Sequence, residues 1–199
     1  SWPVKVAASV AGLSGNKQKG LEYLREDAAS HGESATDAKV ALALFLRREQ
    51  KYREALQIVG EMQTEYPRNF LIADEYAHLL NASGQGQAAV AAYRKVVNNC
   101  KSNAFPVCRL EQPAFGLGES LRGQRDYQGA AEAYELAASV SDADPDLKQR
   151  ATLSAGEMYD VLNRRDAALQ RYHAVIAVNA SSSRADLARH YIKQAYKVN

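Results

Sequence analysis

The sequence predicts an all-α chain of repeated helix–turn–helix units, and two observations carry that expectation. The first is the stretch Tyr127-Gln128-Gly129-Ala130-Ala131-Glu132-Ala133-Tyr134, with Leu117-Gly118 just before it. Ala130 lies three positions before another small residue, Ala133, and four before an aromatic, Tyr134. On a helix those positions share a face, so small residues admit a neighbouring helix while the ring fills the gap one turn on. The second observation is recurrence. Partial copies stand at Tyr52-Arg53-Glu54-Ala55-Leu56, at Gln87-Ala88-Ala89-Val90-Ala91-Ala92-Tyr93 and at Asp166-Ala167-Ala168-Leu169-Gln170-Arg171-Tyr172, with a fainter one at Lys19-Gly20-Leu21-Glu22-Tyr23-Leu24. Aligning Gly20, Ala55, Ala89, Ala130 and Ala168 gives steps of 35, 34, 41 and 38 residues.

A period of about 34 residues with this small–aromatic pattern resembles the tetratricopeptide repeat (TPR) family over nearly the whole chain. Twelve residues before each anchor the family wants Gly or Ala, because two helices cross there with backbones nearly touching. Here those positions hold Ala8, Ala43, Ala77, Gly118 and Gly156. The family's turn falls just before the anchor, where the chain has Glu49-Gln50-Lys51, Ser83-Gly84-Gln85 and, in the first copy, Gly15. The closing proline is matched by Pro67 alone, and the first-helix Trp position is kept in no copy. The resemblance implies a right-handed α–α superhelix of about five repeats plus a C-terminal capping helix, with residues 1–199 forming one solenoid domain.

Repeat one spans about 1–34, with Pro3 suited to the first turn of a helix over Val4 to Leu13 and a second helix from Lys17 to Ser30, ended by His31-Gly32. Repeat two, about 36–69, has capping candidates Thr36 and Asp37 and helices over Asp37–Arg48 and Tyr52–Glu65. Repeat three covers about 70–103 and turns at Ser83-Gly84-Gln85-Gly86. Asn98 to Pro113 is an irregular insertion holding both cysteines. Repeat four occupies about 111–144. Repeat five, about 149–182, has a first helix that starts near Asp146 and is longer than the others. Ser181-Ser182-Ser183 then caps a last helix, Arg184–Lys197, expected to turn Leu187, Tyr191 and Ala195 inward (the capping segment being 183–198).

Composition narrows the function classes. The 25 basic and 23 acidic residues nearly cancel, so nothing points to nucleic acid or an anionic membrane as partner. No apolar run reaches the roughly 18 residues of a membrane span. The four histidines, His31, His78, His173 and His190, are scattered and form no metal pair. Gly12-Leu13-Ser14-Gly15-Asn16-Lys17 has the wrong spacing for a phosphate loop, and Gly116-Leu117-Gly118 lacks the third glycine of a dinucleotide fingerprint. Neither catalytic residues, a metal nor a cofactor is expected, so the chain reads as a non-enzyme. Cys100 and Cys108 stand eight apart in the insertion. Two readings stay open: a disulfide worth about 2–3 kcal/mol, which would favour an exported or periplasmic location, or two thiols in a reducing cytoplasm.

The resemblance also implies where partners bind, since the family's first helices line a groove for extended peptides or partner helices. Carried over by position, repeat two offers Val40, Leu44, Arg47 and Arg48, and repeat three Leu71, Asp74, Glu75, His78 and Asn81. Repeat four offers Phe115, Glu119 and Arg122, and repeat five Arg150, Leu153, Glu157 and Asp160. Leu44, Phe115 and Leu153 are the expected anchors, with the charged positions supplying specificity. The carboxylate grip of chaperone-tail binders is not matched. Lys5 fits its first Lys, but Ser9 and Ala41 replace both Asn, Leu71 the next Lys, and Glu75 stands where an Arg is required. The expected partner is a protein or peptide, the chain itself a monomer or weak homo-oligomer; a self-associating scaffold, or the interaction domain of a larger protein, is the alternative.

Overall fold

The computed structural model describes residues 17–198 apart from 31 and 33. The expected helix over 4–13, with Pro3, Ala8 and the Gly15 turn, lies outside the described residues, as does His31. Ten α-helices and no strand occur among the described residues. They are α1 (Lys17–Ala28), α2 (Ala35–Arg48), α3 (Tyr52–Glu65), α4 (Phe70–Ala82), α5 (Gly86–Lys101), α6 (Glu111–Gly123), α7 (Tyr127–Ser139), α8 (Pro145–Val161), α9 (Arg165–Val178) and α10 (Ser183–Lys193). The chain is an all-α helical repeat, as its pattern predicts.

It divides after Gly84 into two compact units. In the first, α1 to α4 each pack on the next; in the second, α5 to α10 do the same, and α6 and α10 also touch α8. Packing that runs from neighbour to neighbour is the mark of a repeat array. The anchors Ala55, Ala89, Ala130 and Ala168 are fully buried, each at 0% exposure. Leu42, Leu46, Val59, Met62 and Leu79 build the core of the first unit around Ala55. In the second unit the crossing positions show why they tolerate no side chain. A Cβ on Gly118 would lie 2.5 Å from the Tyr134 ring, and one on Gly156 2.7 Å from the Tyr172 ring.

The turns repeat too. Gln50, Gly84, Arg125 and Asn163 each stand five residues before an anchor and have φ of 57°, 79°, 62° and 59°. In the Gln50 turn, Gln50 N–H donates to Arg47 O and Lys51 N–H to Leu46 O. The Arg125 and Asn163 turns repeat both bonds. This is the Schellman ending, which satisfies the last carbonyls of a helix by passing one residue through the left-handed region. Glycine fills that position without steric cost, whereas Gln and Arg pay about 1–2 kcal/mol.

The insertion between α5 and α6 is pinned by a Cys100–Cys108 disulfide, with Cα atoms 5.7 Å apart. Phe105, inside the loop, is buried.

The last helix departs from expectation in two ways. It ends at Lys193 rather than Lys197. A continuing helix would need Ile192 O to accept from Tyr196 N–H, but Arg165 donates to both Tyr191 O and Ile192 O at 2.7 Å. The Tyr196 N–H goes instead to Asp160 Oδ2 at 2.8 Å. Its inward face is also displaced: Ala185 and Ala188 are buried, with Tyr191 and Ile192 packed beside the core, while Leu187 is 44% exposed.

Gly118→Ala is expected to lower unfolding free energy by about 1–3 kcal/mol through overpacking, and Arg125→Gly to raise it by about 0.5 kcal/mol by relieving the left-handed turn. Urea midpoints check both. Replacing Cys100 and Cys108 together by Ser is expected to cost about 2–3 kcal/mol in the same assay.

Candidate functional site

In the first unit, α2, α3 and α4 enclose a recess of about 360 Å³. Its floor is Val59 and Met62, both buried, and its rim is apolar: Val40, Leu44 and Leu71 are 43%, 46% and 68% exposed. At one end the hydroxyls of Thr36 and Tyr66 lie 3.0 Å apart. The Asn69 side chain caps α4 by accepting from Leu71 and Ile72 N–H, which sets the first turn that carries Leu71 to the rim.

The wall of this recess is acidic. Burial, reinforced by the neighbouring Glu75 charge, pushes Asp74 up to about 7. Asp74 Oδ1 is shielded from solvent and accepts no hydrogen bond among the described residues. Glu75 is also raised by burial, against the pull of Arg47, whose Nη1 donates to Glu75 Oε2 at 2.6 Å. A second recess is lined by Leu44, Arg47, Arg48 and His78, with Phe45 and Tyr52. Of the expected site residues in this unit, the structure thus brings Leu44 and Asp74 together in one recess and Leu44, Arg47, Arg48 and His78 in the next.

The second unit differs, and two expected anchors are corrected. Phe115 and Leu153 are only 7% and 6% exposed. The Phe115 ring sits 5.4 Å from that of Tyr134 and is covered by Arg150, whose Cζ lies 4.4 Å from its centroid. Leu153 is part of a core with Ala168, Tyr172, Val175 and Ala188, because α10 closes over α8 and α9. Both side chains are spent on packing within the fold.

Its polar positions are spoken for as well. Glu119 accepts from the Tyr134 hydroxyl. Arg122 donates to Glu157 Oε2 at 3.0 Å and to the Tyr196 hydroxyl oxygen at 2.6 Å. Burial works against the Arg122 charge, but Glu157 and the neighbouring phenols and Glu119 outweigh it and hold the guanidinium above its ordinary range. Glu157 is raised by burial, with Arg122 opposing. Asp160 accepts from Arg165 at 2.9 and 3.0 Å, from the Tyr172 hydroxyl at 2.7 Å and from Tyr196 N–H. Tyr196 stands outside every repeat position, and no motif announced it. Among the described residues no group of three or more His, Cys, Asp or Glu is placed to hold a metal, and no helix is long and apolar enough to cross a membrane.

Asp74 supplies a pH signature. Its folded value lies above the unfolded value of about 4, so the folded state holds the proton more tightly. The contribution to stability is greatest below about pH 4, falls as pH climbs to about 7 and is level beyond. Comparing urea midpoints of the native chain and Asp74→Asn across that window is expected to show a steeper decline in the native chain; parallel profiles would contradict the assignment.

No family model and no curated protein matches the sequence. Solved structures do match in shape. MamA of Desulfovibrio magneticus RS-1 superposes with a TM-score of 0.66 at 18% identity, covering 85% of this chain and 89% of that one. A Podosopora anserina structure of kinesin light chain nearly identical TPR-like repeats gives 0.65 at 16%, covering 84% and 88%. BtubC of P. vanneervenii gives 0.59 at 15%, covering 98% and 94%. With buried anchors at the repeat spacing, helix crossings at small residues and neighbours of this kind, the chain has the TPR-type helical-repeat fold.

Proposed function

We propose that the chain is a protein-interaction module whose first unit holds a partner segment in the recess between α2 and α4. The observation that carries this reading is the recess itself: an exposed apolar rim of Val40, Leu44 and Leu71 beside a shielded carboxylate with an unused oxygen. An apolar side chain would lose its water contact against the rim, and a neighbouring Lys or Arg would supply the charge that Asp74 lacks. Docking such a cation would pull the Asp74 proton off, so binding strengthens as pH rises through about 7. Shared fold with interaction arrays agrees with this use. The Cys100–Cys108 bridge supports work in an oxidising compartment.

An array of nine-residue peptides, each with a central Leu and either Lys or Glu two positions away, tests the reading. Lys-bearing peptides are expected to bind better, and Leu71→Ser or Asp74→Asn to weaken them by about tenfold, with Leu71→Ser leaving stability within about 0.5 kcal/mol because the site is exposed. Preference for Glu, or binding indifferent to both substitutions, would contradict it. Alkylation of the protein drawn from its native source checks the compartment: thiols that react only after reduction are the expected result.

A further inference from the structure

The second unit carries a different surface, and the chain itself occupies it. Beyond Lys193 the backbone turns extended, with Gln194 at φ −137° and ψ 113°. The stretch that follows lies against α6 and α8. Its main chain is held at Tyr196, whose N–H donates to Asp160 Oδ2 at 2.8 Å, while Arg165 donates to the Tyr191 and Ile192 carbonyls at the end of α10 just before it. Its one large side chain is held specifically. The Tyr196 hydroxyl oxygen accepts from Arg122, the Arg122 Cζ stands 5.5 Å from the ring centroid, and the Tyr191 ring meets it edge-on at 5.4 Å. A main-chain bond that ignores sequence, together with one contact set that reads a side chain, is how a groove begins to hold an extended peptide.

We propose that this face of the second unit, formed by Arg122, Glu157, Asp160 and Arg165, is a second binding site for an extended, tyrosine-bearing segment of a partner protein. Residues 194–197 are its resident and exchangeable occupant. Two observations separate an exchangeable occupant from a fixed part of the fold. The site is complete without it: Arg122 keeps Glu157, and Asp160 keeps Arg165 and the Tyr172 hydroxyl. No buried charge is stranded when the segment leaves. The segment is lightly held by solvent exclusion, since Tyr196 is half-buried and Gln194, Lys197 and Val198 are exposed. It also has somewhere to go. Once Arg165 releases the Tyr191 and Ile192 carbonyls, these can accept from Ala195 and Tyr196 N–H, so α10 can extend through a stretch of good helix formers, Lys193-Gln194-Ala195. Docked strand and continued helix are the two states of one switch, in which a partner tyrosine competes with Tyr196.

The probe is a fluorescently labelled peptide of residues 190–198, added to the full chain. A tethered occupant competes at millimolar effective concentration, so the native chain is expected to bind it at least about tenfold more weakly than Tyr196→Ala. Adding Arg122→Ala to Tyr196→Ala is expected to abolish the gain, and a peptide carrying Tyr196→Phe, with its Tyr191 kept, to bind severalfold less well. Equal binding by the native chain and Tyr196→Ala, or none by either, would overturn the proposal. Should Tyr196→Ala fail to fold, hydrogen exchange of the native chain decides. A Tyr196 amide that exchanges through a local opening, well ahead of the α8 core amides, supports exchange of the segment; one that exchanges only on global unfolding makes it a fixed cap.

Discussion

The rings of Tyr134 and Tyr172 lie against Gly118 and Gly156 closer than any Cβ there would permit, and much of the second unit follows from that contact. Backbone that approaches a ring this closely leaves α6 and α8 no freedom to slide against α7 and α9. Each ring then does a second thing. The Tyr134 hydroxyl donates to Glu119 and the Tyr172 hydroxyl to Asp160, carboxylates on the first helix of the same repeat. Burial raises both phenols, with those carboxylates adding to the effect, so they remain protonated donors. The packing of a repeat and the polar face of its first helix are thereby set by one side chain.

A second regularity runs between repeats. Arg47 pairs with Glu75, and Arg122 with Glu157, each from the first helix of one repeat to the first helix of the next. These pairs engage Arg47, Glu75, Arg122 and Glu157 within the fold. What remains differs between the two units. The first presents an exposed apolar rim beside Asp74, whereas in the second Tyr196 lies against Arg122 and Asp160. Partly buried ion pairs of this kind contribute more to register than to net stability, because desolvation offsets much of their attraction.

The sequence was most legible where one local rule decides. Ala55, Ala89, Ala130 and Ala168 read as buried anchors, and they are buried, because small residues at that spacing have only one good use. The helix spans Tyr52–Glu65 and the turn at Ser83-Gly84-Gln85 follow equally from local signals. Phe115 and Leu153 were misread because a first-helix position does not say whether the next helix covers it: Arg150 covers one and α10 the other. The early end of α10 was illegible for the same kind of reason. Its residues favour helix, and only a distant Arg165 and Asp160 take the bonds that helix would need. The turn at Glu49-Gln50-Lys51 was expected from the repeat, but with no glycine at Gln50 or Arg125 the left-handed conformation there was not, although Gly84 marks the same place in repeat three.

As proposed, the first unit offers an open site on α2 and α4 while the second unit's is closed from within. Amide chemical-shift mapping of the full chain, titrated with a short Leu- and Lys-bearing peptide, tests this most directly. Shifts confined to residues of 36–75, with those of α6 and α8 unmoved, are the expected result. Shifts that fall on the outward face of α3, or first on α6 and α8, would contradict it.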